Sequence, residues 1–304
     1  MVKTYLVDSV CEIFREAGFS TLFLDKSCFD IITKRGNLLL FVKVANELDN
    51  FRRYHAAELK KIAFFFKAIP LLVVGAAEED VIYRRYGVVA VNLNTLRKIL
   101  QGMPIFVMSE RGGYYVKISQ ENLRRIRVQK NYSLGDLADL LGVSRKAVYE
   151  YERSRCKVFL EVARRLYDLF GWNIIEPINV FEEASKYKLD EDEKFEVRKE
   201  VRVACKRFEG LGFKILLTRY APFDFLARYK SCKFLAEVNK EVEIEKLSLL
   251  NCVSKILRSY AVVITRKGSD AGYSMKRVSI VQESLLKEFE NAEDFIKVVG
   301  SKDI

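Results

Sequence analysis

The sequence predicts a multidomain protein in which two α/β repeats flank an all-α domain. Three observations lead to this prediction. The chain has 304 residues and is 50% hydrophobic, which is enough for two or three separate cores. Its first and last thirds align without a gap when they are shifted by 194 positions. Between them, apolar residues recur at the 3.6-residue period of short helices.

The shifted alignment contains eleven identities across 52 positions. Chance would give about three or four with ordinary residue usage. The identical pairs are Cys11 and Cys205, Phe14 and Phe208, Gly18 and Gly212, Phe19 and Phe213, Leu22 and Leu216, Phe29 and Phe223, Asp30 and Asp224, Val44 and Val238, Glu47 and Glu241, Lys61 and Lys255, and Ile62 and Ile256. The two thirds are therefore expected to share one fold.

Each copy shows the order helix, strand, strand, strand, helix and strand. In the first copy, residues 1–104, we expect a helix at 2–17, strands at 20–24, 29–33 and 38–44, a helix at 51–66, strands at 69–75 and 87–91, and a helix from Asn94. In the second copy, residues 195–304, we expect a helix at 195–209, strands at 214–218, 223–229 and 232–239, a helix at 244–257, strands at 260–265 and 277–281, and a helix at 283–289. Continuous apolar strands imply sheets that are covered on both faces.

Three pieces lie between the copies. Residues 105–118 predict a β-hairpin connector that turns at Arg111-Gly112-Gly113. Residues 119–173 predict the all-α domain, and residues 174–194 predict an acidic linker, either solvated or an exposed helix. A phosphate-cradling role for the two glycines would require a helix directly after them, and the sequence predicts a strand instead.

The spacing of Ala138, Gly142 and Val148 predicts a helix-turn-helix within residues 119–173. Two helices joined by a tight turn need a small residue at their contact and a glycine at the corner. Ser133 and Ser144 each stand where they can cap the start of a helix. The other inward positions are Leu123, Ile126, Leu137, Leu141, Val143 and Tyr151.

If Val148 points inward, four residues of the helix 145–152 project outward to where base edges would be met. These candidate base readers are Arg145, Lys146, Tyr149 and Glu150. Arg145 or Lys146 can donate hydrogen bonds to guanine edges, Glu150 can accept from cytosine, and Tyr149 can pack against a thymine methyl group. The candidate contacts to the DNA backbone, which set register, are Ser133, Ser144, Arg153, Arg155 and Lys157. A helical bundle without DNA, or a protein-docking module, remains an alternative.

The phrase LGVSRKAVYEYE resembles the phage-repressor (Cro-like, lambda-repressor-like) helix-turn-helix superfamily. The residue after the capping serine is often a phosphate-contacting glutamine in that superfamily, but here it is Leu134, so that contact is expected to be absent. Four segments of the chain, in this order, also resemble an archaeal family of Cro-type transcriptional regulators of similar length. They are RGGYYVKI, LRRIR, SLGDLADLLGVSR and VYEYE. That resemblance covers the whole chain and implies DNA-binding in transcription regulation.

The two α/β repeats resemble the restriction-endonuclease-like fold, in which an aspartate and a Glu-x-Lys on the next strand hold magnesium. In the second copy Asp224 and Glu237 have suitable spacing, but Asn239 stands at the lysine position. Lys240 should point to the opposite sheet face. This copy is therefore expected to be a degenerate nuclease, and a residual metal site at Asp224 and Glu237, with catalysis there, stays as the alternative.

The first copy departs further from the same pattern. Asp30 remains, whereas Lys43 takes the glutamate position and Ala45 takes the lysine position. A hard cation such as Mg²⁺ would lose its second carboxylate there. We expect this copy to be a degenerate nuclease without activity.

The composition of the chain disfavours several classes of protein function. The formal net charge of +11 favours a polyanionic partner. Six scattered cysteines without a CxxC pair, together with His55 as the one histidine, disfavour a zinc site and a serine-hydrolase triad. The longest apolar run, Ala68 to Ala77, is too short to cross a bilayer, so we expect a cytoplasmic protein with no membrane partner. No cofactor and no small-molecule ligand is inferred.

Together these patterns predict a sequence-specific regulator that binds double-stranded DNA and is not an enzyme. We expect a homodimer, because a two-fold pair of such modules reads half-sites about 34 Å apart. Two alternatives stay open. One is a metal-dependent, structure-specific nuclease that uses Asp224 and Glu237, and the other is a non-catalytic adaptor that binds protein.

Overall fold

The computed structural model describes residues 2–25, 27–154, 157–190, 195–266, 275 and 277–300. The chain divides into two compact units. The first comprises Met1–Ala17, Val42–Ala56 and Ile69–Lys188, and the second comprises Gly18–Phe41, Ala57–Ala68 and Leu189–Ile304. Each unit therefore draws on several separate stretches of sequence. No helix in the described part of the chain combines the length and apolar character needed to cross a membrane.

The elements of the first third follow the predicted order. They are α1 (Val2–Glu16), β1 (Ser20–Phe23), β2 (Ile31–Arg35), β3 (Leu38–Ala45), a 3₁₀ turn (Leu48–Asn50), α2 (Arg53–Phe66), β4 (Ile69–Val74), β5 (Val81–Arg85), β6 (Val88–Asn92) and α3 (Leu93–Leu100). The strand β5 was not predicted. It pairs antiparallel with β6, and its residues Tyr83 to Arg85 are only partly apolar.

The middle of the chain alternates strands with short helices. In order they are β7 (Val107–Glu110), β8 (Gly113–Ile118), α4 (Gln120–Gln129), α5 (Leu134–Leu141), α6 (Arg145–Arg153), β9 (Lys157–Phe159), α7 (Leu160–Phe170), a 3₁₀ turn (Trp172–Ile174), β10 (Ile175–Glu176) and α8 (Val180–Ser185). The domain predicted as all-α thus contains the short strand β9, which pairs with β8.

The last third begins with a helix and ends with two. Its elements are α9 (Lys199–Gly210), β11 (Lys214–Leu217), β12 (Phe225–Tyr229), β13 (Cys232–Asn239), α10 (Ile244–Leu257), β14 (Tyr260–Thr265), β15 (Val278–Gln282), α11 (Glu283–Leu286) and α12 (Ala292–Gly300). Its apolar core contains Phe208, Phe213, Phe225, Phe234 and Phe295, whose rings meet mostly edge to face.

The described strands form two sheets. The larger follows the order β1-β2-β3-β4-β6-β5-β7-β8-β10, with β9 also paired to β8. The smaller follows the order β11-β12-β13-β14-β15. In the smaller sheet β11, β12 and β13 are antiparallel neighbours, whereas β13, β14 and β15 run parallel. The carboxyl ends of these three strands consequently lie at one edge.

Elements of the last third follow matching elements of the first third at two offsets along the chain. β11, β12 and β13 each begin after β1, β2 and β3 by the shift that aligns the two sequences, which we call the strand offset. α10 and β14 follow α2 and β4 by a smaller shift, the helix offset, because the loop between β13 and α10 is three residues shorter than the loop between β3 and α2. The ungapped alignment therefore does not bring α2 and β4 into register with α10 and β14, and its pairs Lys61 with Lys255 and Ile62 with Ile256 stand at different positions of their helices.

The stretch expected to be an acidic linker, residues 174–194, is not simply solvated. It contains β10, which pairs with β8, and α8, whose Val180, Glu183 and Ala184 are buried. The Glu183 carboxylate lies 2.7 Å from the Lys117 ammonium, which holds the pKa of Glu183 below its usual value despite the opposing effect of burial. The acidic composition of this stretch predicted an exposed segment, but α8 is partly buried, and Glu183 is paired there with Lys117. The hairpin formed by β7 and β8 was predicted as a connector, but it is part of the larger sheet, because β7 pairs with β5.

Within the second unit, residues of the first third contact residues of the last third. Glu58 is buried, and its Oε1 accepts hydrogen bonds from the backbone N–H groups of Arg219 and Tyr220 at 3.0 and 2.7 Å. The backbone N–H of Cys28 donates to the carbonyl oxygen of Tyr220 at 2.6 Å. Burial raises the pKa of Glu58, and the two amide donors oppose that rise.

Glu58→Ala should lower the free energy of unfolding by about 1–3 kcal/mol, because two backbone donors would lose their buried acceptor. Glu58→Gln keeps an oxygen at this position and should cost clearly less. Urea unfolding of the full chain followed by circular dichroism measures both. Equal losses for the two variants would show that the acceptor does not matter.

Candidate nucleic-acid interface

Helices α4 to α7 pack around one apolar core. Leu123 of α4, Leu137 of α5, Val148 of α6 and Leu166 of α7 are each fully buried in it. The strands also contribute, since Val116 of β8 and Val158 of β9 belong to the same core. The orientation of α6 is thereby fixed by the burial of Val148, with Tyr151 packed against the same core.

The turn between α5 and α6 depends on a glycine. Gly142 has φ 65° and ψ 37°, the left-handed conformation that a residue with a Cβ adopts at a cost. A Cβ there would also collide with the Arg165 guanidinium, which donates to the Leu141 carbonyl oxygen at 2.6 Å. The N–H of Val143 donates to the Ala138 carbonyl oxygen at 3.0 Å and closes the turn.

Two serines begin the helices on either side of this turn. The Ser133 hydroxyl accepts from the N–H of Asp136 at 3.1 Å, and the Asp136 carboxylate accepts from the N–H of Ser133 at 2.8 Å. The Ser144 hydroxyl accepts from the N–H of Ala147 at 3.1 Å. Both serines are exposed or half-buried, so each hydroxyl can accept within its helix and still donate its own proton outward.

The outer side of α6 carries the four candidate base readers. Arg145, Lys146, Tyr149 and Glu150 are all exposed, while Val148 between them is buried. Arg153 lies one turn beyond Tyr149 and is also exposed. Its guanidinium carbon lies 5.1 Å from the centre of the Tyr149 ring, and it donates to the Tyr149 hydroxyl. The structure thus brings these five side chains onto one face.

The other candidate backbone contacts lie elsewhere. Lys157 is on β9, where its ammonium pairs with Glu110 and lies 3.1 Å from the sulfur of Met108. Its charge is therefore already balanced by the β7–β8 hairpin. Arg155 lies outside the described residues.

An ion pair that the sequence analysis missed joins α4 to α6. The Arg127 guanidinium donates to both carboxylate oxygens of Glu152, at 2.5 and 3.0 Å, and to the Tyr132 carbonyl oxygen at 2.8 Å. The two side chains are only 13% and 7% exposed. Hydrogen bonding to Glu152 raises the pKa of Arg127 above its usual value. Because the two residues are 25 positions apart, no local pattern could have revealed this pair.

The predicted residual metal site is occupied by cations from the chain itself. Both Asp224 oxygens accept from the Arg198 guanidinium at 2.8 Å, and one also accepts from the backbone N–H of Val238 at 2.8 Å. Glu237 is 2% exposed and pairs with Lys246 of α10. Among the described residues, no group of three or more His, Cys, Asp and Glu side chains is arranged to hold a metal ion.

Burial raises the pKa of Glu237 to about 7, and the negative charge of Asp224 adds to the rise. Lys246 and Arg198 oppose it. A carboxyl that gains a proton near neutral pH is a weak ligand for a hard cation. The side chain at the lysine position, Asn239, supplies no charge to correct this.

Two parts of the chain match known protein families. Residues 3–105 match the PD-(D/E)XK superfamily domain, and residues 121–173 match a helix-turn-helix domain. A protein of Pyrococcus abyssi is 31% identical over 99% of this chain and 98% of its own length. A protein of Thermococcus kodakarensis is 33% identical over 98% of this chain and 96% of its own. A protein of Methanosphaerula palustris is 32% identical over 98% and 99%.

All three relatives carry the name "Putative HTH-type transcriptional regulatory protein". This chain belongs to that archaeal family. The predicted resemblance to HTH-type transcriptional regulators is therefore confirmed, as is the restriction-endonuclease-like fold of the N-terminal domain. In that domain Asp30, Lys43 and Ala45, which occupy the positions of the nuclease motif, are all buried.

The Arg127–Glu152 pair of this HTH-type regulator can be tested by removing one charge or both. Arg127→Met should lower the free energy of unfolding by about 3–5 kcal/mol, because it leaves a buried carboxylate without its partner. Arg127→Met together with Glu152→Leu should recover most of that loss. Thermal unfolding of the two variants measures the difference, and equal destabilisation would show that the buried charge is not the cause.

Glu237→Gln should change how stability depends on pH. A carboxyl whose folded pKa is about 7 favours the fold most below its unfolded pKa, and this contribution disappears as the pH rises through about 7. Between about pH 5 and 8 the wild type should therefore lose roughly 1–3 kcal/mol relative to Glu237→Gln. Urea unfolding at both pH values checks this, with Glu288→Gln, an exposed position, as the control. Parallel pH profiles for wild type and Glu237→Gln would contradict it.

Proposed function

We propose that this protein is a sequence-specific transcriptional regulator that binds double-stranded DNA and reads the major groove with α6. The observation that carries the proposal is the exposed face of α6, where Arg145, Lys146, Tyr149 and Glu150 stand together above a helix anchored by Val148. Cations can bind guanine edges and a carboxylate can accept from cytosine, so this set can discriminate bases. A regulator of this kind acts in the cytoplasm.

Phosphate contacts would come from the ends of the same helices. Ser133 and Ser144 precede the first turns of α5 and α6, where backbone N–H groups and hydroxyls can donate to phosphate oxygens. Arg153 adds a positive charge at the far end of α6. Leu134 is half-buried beside Ser133 and adds no polar contact. We assign Lys157 a lesser role because Glu110 already pairs with it.

We further propose that the regulator contains two copies of the restriction-endonuclease-like fold, one on each side of the helix-turn-helix domain. The recurrence of the first three strands at the strand offset supports this, as does the recurrence of α2 and β4 at the helix offset. The order of β11 to β15 in the smaller sheet also repeats the order β1-β2-β3-β4-β6 of the larger one.

Two contacts within the second unit repeat one another in the two proposed copies. Lys34 of β2 donates to the Ile256 carbonyl oxygen in α10 at 3.4 Å. Arg228 of β12 lies 6.0 Å from the centre of the Phe65 ring in α2. Arg228 is the equivalent of Lys34 under the strand offset, and Ile256 is the equivalent of Phe65 under the helix offset. Each copy thus presents the same strand position to the same helix position of the other.

We propose that a homodimer forms through a surface other than the one where the two copies contact each other. Two-fold symmetry would place two helix-turn-helix domains on half-sites about 34 Å apart, one turn of DNA. A single domain reads only a few base pairs, so dimerisation supplies the length of site that a regulator needs. These considerations support the dimer without identifying its interface.

A metal-dependent nuclease is the second candidate, because residues 3–105 match the PD-(D/E)XK superfamily domain. The pairing of Asp224 with Arg198 and of Glu237 with Lys246 weighs against it in the last third. Magnesium-dependent cleavage of DNA that disappears in Asp224→Ala would favour the nuclease.

Selection from a randomised duplex library, without magnesium and at two salt concentrations, tests the proposal. Wild type should enrich a defined sequence, and binding should fall with salt by about 0.9 log units per log unit of salt for each phosphate neutralised. The double variant Arg145→Ala, Lys146→Ala should lose the enrichment, with at least about tenfold weaker binding to the selected site.

The matched control is Arg202→Ala, Lys206→Ala, which removes two exposed charges from α9 and should keep the enrichment. If the α6 variant enriches the same sequence as the wild type, α6 is not the reader. If the wild type shows no salt-sensitive binding to duplex DNA, DNA is excluded as the partner and the protein-binding adaptor remains.

The selected duplex should bind two chains of 35.2 kDa each. Sedimentation velocity of the complex measures this directly, because the mass distinguishes one chain from two. A selected site without a palindrome, bound by one chain, would contradict the dimer and keep the base-reading role of α6.

A further inference from the structure

A cavity of about 370 Å³ lies at the carboxyl edge of the smaller sheet. It opens where β13 and β14 end, between α9 and α11, and Asn239 and Thr265 at the ends of those strands line it. Crevices outside the carboxyl ends of parallel strands are frequent ligand sites in α/β folds, because the strand ends leave space between the covering helices. The volume is within the range of small-molecule sites.

The floor of this cavity is apolar. Its residues come from the sheet and from both helices, and they are Val203, Ala204, Val238, Ile264 and Leu286. Four of them are buried in the core of the domain, whereas Val203 is 42% exposed and stands at the entrance. An apolar part of a ligand would be held here by loss of water.

The rim of the cavity carries an excess of positive charge, because it contains five cationic side chains and two carboxylates; these are Arg198, Arg207, Lys240, Arg266 and Lys287, and Glu200 and Glu283. Lys240 and Lys287 both line it and are exposed, and neither forms a salt bridge with any residue that the structure describes. Arg198 and Arg266 also line it, but Arg198 pairs with Asp224, and Arg266 pairs with Glu200 and Glu283. The arginines are therefore held in place, and the two lysines carry charge that no direct ion pair within the described residues balances.

This cavity adjoins the predicted residual metal site through Arg198 and Asn239 but does not include its two carboxylates. Neither Asp224 nor Glu237 lines it. Glu237 and Val238 are adjacent in β13 and point to opposite faces of the sheet. Glu237 pairs with Lys246 of α10, whereas Val238 packs in the core together with α9.

We propose that this cavity binds a small organic anion, with an apolar body on the floor and a carboxylate or phosphate group at Lys240 and Lys287. The two lysines supply the charge that the anion needs, and the buried floor supplies contact area. Binding does not depend on the proposed DNA-binding function, so the two can fail separately.

The probe for the test is 8-anilinonaphthalene-1-sulfonate, an aromatic anion that fluoresces when its rings leave water. The full chain should bind it saturably with one strong site. Lys240→Glu, Lys287→Glu should weaken that binding by at least about tenfold. Val203→Trp should abolish it by filling the entrance. Val298→Trp, a similarly exposed position on α12, is the control and should bind like wild type.

The charge variant changes only exposed side chains, so it remains informative even if Val203→Trp does not fold. Binding that both cavity variants leave unchanged would place the probe elsewhere and overturn the proposal, as would the absence of saturable binding by wild type.

Competition at constant ionic strength tests the nature of the ligand. Octanoate and phenyl phosphate should displace the probe, and the more effective of the two identifies the preferred head group. Inorganic sulfate and 1-octanol should both fail. Displacement by sulfate alone would mean that the cavity takes a bare anion, and displacement by 1-octanol as effective as by octanoate would mean that charge is not recognised; either result would overturn the proposal.

Discussion

The burial of Val148 between α5 and the rest of the helical core determines what this regulator can present to DNA. Because Val148 is fully buried, the residues on the opposite side of α6 must face water. The left-handed turn at Gly142 sets the position at which α6 begins, and the Arg127–Glu152 pair holds its far end to α4. A helix fixed at both ends would lose little further freedom on binding a partner, which favours affinity.

In the last third of the chain, internal ion pairs hold the two carboxylates that the sequence offered as a residual metal site. A nuclease of the restriction-endonuclease-like fold needs two carboxylates that are negative and open to a cation. Here Asp224 is neutralised by Arg198, and Glu237 is buried with Lys246. These pairs occupy the carboxylates at the place where a metal would otherwise sit.

The same domain retains cationic charge in a different place. At the carboxyl edge of the smaller sheet, Lys240 and Lys287 stand above an apolar floor without a salt-bridged carboxylate among the described residues. The proposed DNA-reading face of α6 is exposed, whereas the proposed anion site lies in a cavity between α9 and α11.

Short-range patterns were readable from the sequence. The serines before α5 and α6, the glycine at position 142, and the strands β1 to β3 and β11 to β13 depend on neighbouring residues, so their positions could be predicted. Tertiary structure alone decided the burial of α8 through Glu183 and Lys117, the pairing of β7 with β5, and the contact of Arg127 with Glu152. Charged residues look solvated in a sequence, because their partners are brought to them only when distant segments fold together and exclude water.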